Sequence, residues 1–550
     1  MNHIEANHFF AEVVANPQSD DPRLIYADWL EEHGDQRGEF IRVQCELDKS
    51  NDLQKEFYEL GVRSTQLTAE HGEKWASELE QDLRKSEFKR GFIDKITIRA
   101  LALVKGADSL FASTPINGLR IVYLKNQGKK VAELPQLSQV RALDLSNLTI
   151  PTDDLLAVIK SPNLSNLESL SLCNYSWYDS TVGKALTSFA SRDKLQSLTI
   201  NAGRDHSIFT DVCEGPGFPN LTDLTLWSEE NINENLDSLD KLNVPKLKSL
   251  RVCSRLNVKD CETLSKLSLG RLESLNLKNT KIPARGLAII SDSGAFKTIK
   301  HLDLSYCDIG IRSFEHLFDL DNLQHCESLD LSHSSLATEK TLRKIIGLIA
   351  NHPLPNVKRL ILGSFDDLGL EPLFHPNSFP KLESLHLDSV VINDEVANKI
   401  LAHPIRERLK RLTFSGARFA ENSAEILRES VFPNLFSLRF LDSFYHLENT
   451  QFSELSSNSV LRLLSSKAFP EVRELVLDSI GGANSLERIG AEGILPELRR
   501  FVCRNYFNVG PIREFLKAKR FEKLGELDFR NAVKPSKKLI SEFAPDIVIK

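Results

Sequence analysis

The sequence lacks the cysteine spacings that hold zinc or carry redox chemistry. Its eight cysteines are scattered, and no two of them stand at CxxC spacing. It also lacks an uninterrupted apolar run of about 18 residues, the length of a membrane span. The opening MNHIEANHFFAEVV has neither the basic nor the apolar region of a signal peptide. These absences predict reduced, buried thiols in a cytoplasmic protein that does not enter a membrane.

Common catalytic and phosphate-binding motifs are missing as well. There is no GxxxxGK[ST], GxGxxG, HExxH or GxSxG, and the glycines of SIGGANS lack the Lys and Ser or Thr that would hold a phosphate. His301, His386 and Asp303 fall on predicted strands, where a His–Asp pair suits acid–base chemistry. A binding surface uses the same residue types. The sequence predicts no enzyme, no cofactor and no metal, with an unrecognised site in the N-terminal region as the enzymatic alternative.

Charge is distributed unevenly along the 550 residues. The net charge of −7 gives no global indication of nucleic-acid or membrane binding. Residues 1–85 contain 19 Asp and Glu against 9 Lys and Arg, a net of −10, so the remainder carries +3. The N-terminal segment is therefore a distinct acidic unit.

The pattern L-x-x-L-x-L recurs through most of the chain. Clear copies are VRALDL (140–145), LESLSL (167–172), LTDLTL (221–226), LESLNL (272–277), IKHLDL (299–304), LESLHL (382–387) and VRELVL (472–477). Weaker copies, such as LRIVYL at 119–124 and LGELDF at 524–529, fill the gaps, and most steps are 25 to 28 residues. Each copy predicts a short strand with alternate apolar residues pointing inward, followed by a helical stretch. Stacked copies would bury one continuous core.

These copies resemble the leucine-rich-repeat family, and their length is similar to the ribonuclease-inhibitor-like class. The resemblance implies an α/β fold, a solenoid with a curved parallel sheet and helices on its convex side. It predicts about 16–18 repeats over residues 91–550. The asparagine-ladder position of the family is occupied by other residues here, including Thr280, Cys307 and Val390.

The stretch DDPRLIYADWLEEHGDQRGEF is rich in residues that commonly begin or end helices. Asp21 suits an N-cap, Pro22 the first helical position and Gly34 the C′ position, while Asp35 can cap the next helix. LQKEFYEL and EKWASELEQDL predict two further amphipathic helices. Residues 1–90 are therefore predicted to form a small all-α cap that covers the apolar end of the solenoid.

The cap resembles the repeat-companion domain found ahead of leucine-rich repeats in planctomycete bacterial proteins. The residues that carry the resemblance are DDPRLIYADWLEEHGD, RGEFIRVQCEL and FKRGFIDKITI. That family has no established activity. The cap acids lack EF-hand spacing, and Asp28 with Glu31 or Glu32 is the alternative for a weak metal site. Asp28 could equally pair with Arg23 or Arg42.

In L-x-x-L-x-L the third and fifth residues point away from the core, and the second lies near the rim. Second residues alternate in charge over seven copies. They are Lys248, Glu273, Lys300, Glu327, Lys358, Glu383 and Lys410. Adjacent strands lie about 4.8 Å apart, so this alternation predicts a cross-strand ionic ladder.

The outward positions of the C-terminal third are rich in arginine and predict a partner-binding surface. The candidate residues are Arg359, His386, Arg411, Arg439 and Arg500, the acids Asp303 and Asp330, and Phe444 and Tyr445 of a long insertion. Mixed charge of this kind suits a protein partner. We therefore predict a monomeric protein-binding scaffold with an unknown protein partner. The alternatives are a polyanion or nucleic-acid binder using the same arginines, or a charged face that serves only solubility.

Overall fold

The computed structural model describes most of the chain. The described residues are 3–77, 83–146, 150–172, 180–201, 207–227, 236, 238–253, 255–267, 271–307, 309, 311–318, 322–332, 347–348, 351–363, 378–420, 422–441, 459–478, 485–504, 509–529, 542, 544 and 546–550. They form two compact units. One comprises residues 1–49 and 70–299, and the other residues 50–69 and 300–550.

Helices and strands alternate in the first unit. Its helices are α1 (His3–Ala15), α2 (Asp21–Glu32), α3 (Arg37–Lys49), the C-terminal part of α4 (Lys55–Ser77), α5 (Ala100–Ser113), α6 (Gly128–Ala132), α7 (Thr152–Ile159), α8 (Ser180–Thr187), α9 (Ser207–Glu214), α10 (Val258–Lys266) and α11 (Ala284–Asp292). Its strands are β1 (Leu83–Lys89), β2 (Phe92–Arg99), β3 (Gly118–Val122), β4 (Ala142–Asp144), β5 (Ser169–Leu172), β6 (Ser197–Asn201), β7 (Asp223–Trp227), β8 (Ser249–Cys253) and β9 (Ser274–Asn276). Short 3-10 turns cover Pro135–Gln139, Arg192–Lys194, Leu239–Lys241 and Ala295–Lys297.

The second unit continues the same alternation. It contains the N-terminal part of α4 together with α12 (Ile311–Leu317), α13 (Asp394–Ala402), α14 (Ile405–Arg408), α15 (Ser423–Arg428), α16 (Ser485–Glu492) and α17 (Val509–Lys517). Its strands are β10 (His301–Asp303), β11 (Ser328–Asp330), β12 (Arg359–Gly363), β13 (Ser384–Asp388), β14 (Val391–Ile392), β15 (Arg411–Ser415), β16 (Arg418–Phe419), β17 (Ser437–Leu441), β18 (Glu474–Asp478), β19 (Arg500–Arg504), β20 (Glu526–Asp528) and β21 (Val548–Ile549).

Parallel strands paired in register form the sheet within each unit. Leu143 of β4 lies opposite Leu170 of β5, and Leu385 of β13 lies opposite Leu412 of β15. These leucines are buried, whereas the residues between them on most strands are half exposed. Strand, turn and helix thus repeat with one apolar face turned inward, which confirms the predicted α/β leucine-rich-repeat solenoid with an N-terminal helical segment.

The helical segment of the first unit has its own small core. Val13, Trp29, Leu30 and Ile41 pack with Phe92 of β2. Strand β1 pairs antiparallel with β2, and the left-handed residues Arg90 (φ 49°) and Gly91 (φ 84°) form the turn between them. This hairpin was not predicted. The predicted extent of the cap, residues 1–90, stays a prediction, because α4 contributes residues to both units.

Three local predictions were wrong. LQKEFYEL and EKWASELEQDL do not form two helices, because Lys55–Ser77 is one continuous helix. The N-cap of α2 is Asp20 and not Asp21, and the Asp20 carboxylate pairs with Lys49 at 2.9 Å and Arg90 at 3.2 Å instead of capping the helix. The repeat copy at 119–124 is three residues out of register, because Leu119 and not Val122 pairs with Leu143. By contrast, Asp35 accepts a hydrogen bond from the backbone N–H of Arg37 at 2.9 Å, as expected of a cap.

The ionic ladder is confirmed at three of its cross-strand pairs. In the first unit Lys248 lies 3.4 Å from Glu273. In the second unit Lys358 Nζ lies 2.8 Å from Glu327, and Lys410 Nζ lies 2.7 Å from Glu383. Backbone N–H groups of Lys358 and Lys410 also donate to the carbonyls of Glu327 and Glu383. The ladder therefore follows the same register as the sheet.

Reversing one ladder charge is expected to cost more than reversing another surface charge. Glu327→Lys removes an exposed ion pair and places like charges side by side, so we expect a loss of about 0.5–1 kcal/mol in the free energy of unfolding. Glu522→Lys, on an exposed residue outside the ladder, is the matched control. Urea denaturation measures both. Equal losses in the two variants would contradict a stabilising ladder.

Candidate functional site

Residues 50–69, called the docked segment below, lie on one face of the sheet of the second unit. That face, the C-terminal sheet face, carries the third and fifth repeat residues of β12, β13, β15 and β17–β20. Asp52 of the segment accepts hydrogen bonds from both terminal nitrogens of Arg359, one of them at 3.1 Å. It also pairs with Arg411, which lies on β15 and is 14% exposed. One carboxylate therefore joins two arginines of the predicted partner-binding set.

Tyr58 fixes the start of the docked helix against the same arginine. Its hydroxyl donates to the Asp52 carbonyl oxygen at 2.8 Å and accepts from Arg411 Nη2 at 3.1 Å. The side chain is only 4% exposed. Burial raises the pKa of Tyr58, so the hydroxyl stays protonated and able to donate.

Glu59 makes the next contact along the segment. Its carboxylate lies 3.2 Å from Arg473 Nε and 3.8 Å from Arg499 Nη2. The Arg473 guanidinium also stacks over the Phe436 ring at 5.5 Å and donates to the Glu471 carbonyl at 2.8 Å. Arginine in this setting is both packed and charged, which favours specific recognition of a carboxylate.

Close packing continues to the end of the segment. A Cβ atom built on Gly525 would lie 2.6 Å from Val62 Cγ1 and 2.9 Å from Gln66 Nε2, so only glycine leaves room for the helix there. Thr65 Oγ1 accepts a hydrogen bond from Lys550 Nζ at 3.2 Å. The segment therefore makes contacts from Asp52 to Gln66, across β12, β15 and the strands up to β20.

Substitutions at two glycines are expected to change the stability of the docked segment in opposite directions. A Cβ at Gly61 meets nothing within 4 Å, so Gly61→Ala should stabilise the helix by about 0.5–1 kcal/mol. Gly525→Ala should push the helix away because of the short contacts to Val62 and Gln66. We expect slower amide hydrogen exchange in residues 59–69 for the first variant and faster exchange for the second. Changes in the same direction in both variants would contradict this packing.

A network of buried charges lies on the sheet face beside the docked segment. Glu474 of β18 is 1% exposed. Its carboxylate accepts from Ser437 Oγ at 2.7 Å, from Arg439 Nε at 2.9 Å and from Arg500 Nη1 at 2.8 Å. Arg500 continues to Glu526 at 3.1 Å. Each carboxylate is therefore compensated by a guanidinium of the same face.

The network ends at the last strands. Asp528, which is fully buried, lies 3.5 Å from Arg500 Nη2, and Lys550 Nζ lies 3.0 Å from Glu526. One outward residue on each of β13, β15 and β17 is buried as well, since Ser384 is 8%, Thr413 4% and Ser437 0% exposed. Outward residues on β4–β7 of the first unit are half exposed or exposed. Outward residues are therefore more buried on these strands of the C-terminal repeats than on β4–β7.

Two acids of this site, Asp52 and Glu474, have a pKa below that of ordinary carboxyl groups. Burial opposes ionisation of Asp52, but the hydrogen bond from Arg359 and the charge of Arg411 hold its pKa below the ordinary 3.8. Burial likewise opposes ionisation of Glu474, and Arg439, Ser437 and Arg500 lower its pKa below 4.5. Groups with depressed folded-state pKa values stabilise the folded protein above their ordinary pKa and lose that contribution as the pH falls.

Acid is therefore expected to weaken the docking of the segment. The Asp52 contribution should be complete above roughly pH 5 and should decline as the pH falls through the lowered pKa. Asp52→Asn has no such proton to bind, so its stability should fall less steeply than that of the wild type between pH 5 and pH 3. Urea denaturation at a series of pH values compares the two, and parallel pH profiles would contradict the ionic role of Asp52.

The other candidate residues fall into three groups. His386 lies on β13 between Ile361 and Thr413 of the neighbouring strands, with a half-buried side chain. Asp303 and Asp330 accept hydrogen bonds from the backbone and hydroxyl of Ser305 and Ser332, so each organises the turn after its own strand. Phe444 and Tyr445 lie outside the described residues.

Asp52, Tyr58 and Glu59 were not identified as site residues from the sequence. LQKEFYEL predicts an amphipathic helix of the cap, and the helix exists. A signal was present in the unlike charges, because residues 1–85 carry a net charge of −10 and the C-terminal face is rich in arginine. That signal does not give the pairing of one acid with one arginine.

The described residues also bear on catalysis, metal binding and membrane insertion. Burial raises the pKa of Cys45 to about 11, so its thiol is a poor nucleophile at neutral pH. Among the described residues, no cluster of three or more His, Cys, Asp or Glu is arranged to hold a metal ion. Arg42 pairs with Asp28 and Glu31, which the sequence left as alternative metal ligands. Within the described part of the chain, no helix has the length and apolar character to span a membrane.

Solved structures similar to this chain include several repeat proteins. A leucine-rich-repeat protein of Leptospira interrogans is 16% identical over 76% of this chain and 91% of its own, with a TM-score of 0.33. Yeast Rad7 in complex with Elc1 is 16% identical over 72% and 83%, with a TM-score of 0.38. The leucine-rich-repeat ectodomain of the plant receptor kinase GASSHO1/SCHENGEN3 from Arabidopsis thaliana is 14% identical over 76% and 59%, with a TM-score of 0.25. No protein-family model and no curated protein matches the sequence.

Proposed function

We propose that this chain is a non-catalytic protein-binding scaffold and that the C-terminal sheet face is its binding surface. The observation that carries the proposal is the docked segment, because this face already holds twenty residues of polypeptide. It does so through a two-pronged Arg359–Asp52 contact, a second arginine on the same carboxylate and a buried tyrosine. These are the contact types that dominate protein–protein interfaces.

The charge arrangement supports a protein over a polyanion as the partner. Arg439 and Arg500 are paired with the buried Glu474, and Arg500 also faces Glu526 and Asp528. A phosphate chain on this face would meet those carboxylates as well as the arginines. A protein segment can present carboxylates, hydroxyls and apolar groups at separate points, which matches a mixed surface.

Capture of partners by the tagged full-length chain tests this function. The chain with Arg359→Glu, Arg411→Glu and Arg439→Glu should recover at least tenfold less of any protein that binds the wild type. Arg251→Glu, on an exposed outward residue of β8 in the first unit, is the matched control and should bind as the wild type does. Circular dichroism establishes that the variants fold.

Undiminished capture by the folded triple variant would remove this face as the binding surface. A fluorescent DNA duplex serves as a second probe. Binding to the duplex that survives moderate salt would favour the nucleic-acid alternative, because binding that depends on phosphate contacts weakens steeply with salt.

A further inference from the structure

The docked segment meets the sheet of the second unit through an interface of the kind that can open. The segment combines charged and polar groups, namely Asp52, Tyr58 and Glu59, with the buried apolar side chains of Leu53, Val62 and Leu67. Interfaces between proteins that associate reversibly have this mixed character, whereas permanent ones resemble an apolar core.

The face beside the segment keeps its own charge balance when the segment leaves. The pairs Arg439–Glu474, Arg500–Glu474 and Arg500–Glu526 involve no residue of the segment. Undocking would therefore expose a paired, polar surface to water. It would leave Arg359 and Arg411 without the Asp52 carboxylate, whereas Arg473 would lose Glu59 and keep Glu471. Those arginines are the ones an incoming carboxylate could satisfy.

The spacing of two carboxylates and a tyrosine in the docked segment defines the pattern that the arginines recognise. A carboxylate stands six residues before a tyrosine, and a second carboxylate follows the tyrosine directly, at the start of a helix. Because α4 begins at Lys55, Asp52 precedes the helix, while Tyr58 and Glu59 lie in its first turns. An acidic helix with the same three groups would make the same hydrogen bonds.

We infer that the C-terminal sheet face is a receptor for an acidic, tyrosine-bearing helix of a partner protein, and that residues 50–69 compete with that helix as a ligand within the same chain. This inference rests on the proposed function and adds to it the kind of partner and a means of regulation. A tethered segment acts at a millimolar effective concentration, so a free helix of equal intrinsic affinity binds the closed chain poorly. Release of the segment would therefore switch binding on.

A labelled peptide with the sequence of residues 50–69 tests the inference on the full-length chain. Asp52→Lys with Glu59→Lys places positive charge against the arginines and should release the segment. Fluorescence anisotropy should then show the peptide binding this variant at least tenfold more tightly than the wild type. Glu56→Lys is the matched control, because Glu56 is exposed and lies in the same helix start. That variant should behave as the wild type does.

The peptide carrying Asp52→Lys should bind none of the chains. Hydrogen exchange in residues 59–69 reports release independently, and Asp52→Asn with Glu59→Gln replaces the reversed pair if the latter does not fold. A released segment without peptide binding would overturn the inference while leaving the scaffold function to the capture experiment. Unchanged exchange in the double variant would overturn it too, because these ion pairs would then not hold the segment.

Discussion

Glu474→Ala is expected to destabilise the second unit by about 3–5 kcal/mol, because it leaves the largely buried Arg439 guanidinium without its carboxylate. Glu474 is 1% exposed and accepts hydrogen bonds from Ser437, Arg439 and Arg500. Removing it leaves the Arg439 guanidinium without a carboxylate, while Arg500 keeps Glu526 and Asp528. The cost comes chiefly from this uncompensated positive charge and less from the loss of attraction within the pairs.

Urea denaturation of the full-length chain measures the loss, and Glu471→Ala provides the control. Glu471 belongs to the same repeat and pairs with Arg473 at 3.1 Å, but its side chain is 42% exposed. Exposed pairs contribute roughly 0–1 kcal/mol, so the control should lose far less. Glu474→Gln keeps the volume and one carbonyl oxygen and should fall between the two. Similar losses for Glu474→Ala and Glu471→Ala would show that the buried network does not stabilise the unit.

The repeat architecture could be predicted because the local residue order of each copy specifies a strand. In SLDLS-like stretches the alternation of buried leucine with polar residues specifies a strand, and the period of 25 to 28 residues places the next one beside it. The copy at 119–124 failed because LRIVYL offers apolar residues at two registers. Pairing of Leu119 with Leu143 decides between them, and that information is not local.

The turns after the strands could also have been predicted from the sequence. Asp144, Asp303 and Asp330 are each followed by Leu-Ser, and in all three the backbone N–H of that serine donates to the aspartate side chain. Short-range hydrogen bonding of this type is a known property of aspartate in turns. Asp303 and Asp330 were instead assigned to a partner-binding surface, which stays a prediction.

The occupant of the arginine-rich face could not be predicted. Arg359 and Asp52 are 307 residues apart in sequence, and Asp52 has the same local character as other acids of the first 85 residues. Charge complementarity between the two regions identifies a preference for association, but the choice of partner depends on three-dimensional placement of α4. The sequence thus gives the chemistry of the surface and not what covers it.

Asp52→Ala is expected to raise the free energy of the docked segment by about 2–3 kcal/mol, because hydrogen bonds between charged groups contribute about 1.5–3 kcal/mol and this carboxylate serves two arginines. Amide hydrogen exchange in residues 59–69 should accelerate by roughly 30-fold to 140-fold, since each 1.4 kcal/mol corresponds to a factor of ten in the opening equilibrium. Exchange in α7 of the first unit should not change, which separates local undocking from global unfolding.

A double-mutant cycle with Arg411→Ala assigns the effect to the pair. Arg411 contacts both the Asp52 carboxylate and the Tyr58 hydroxyl, so its removal alone also weakens docking. With Asp52 already absent, losing Arg411 removes a cation that has lost its carboxylate, and the second loss should be smaller than the first by about 1–3 kcal/mol. Additive losses would mean that the two side chains act independently. In that case Asp52 would hold the segment through Arg359 and the backbone alone.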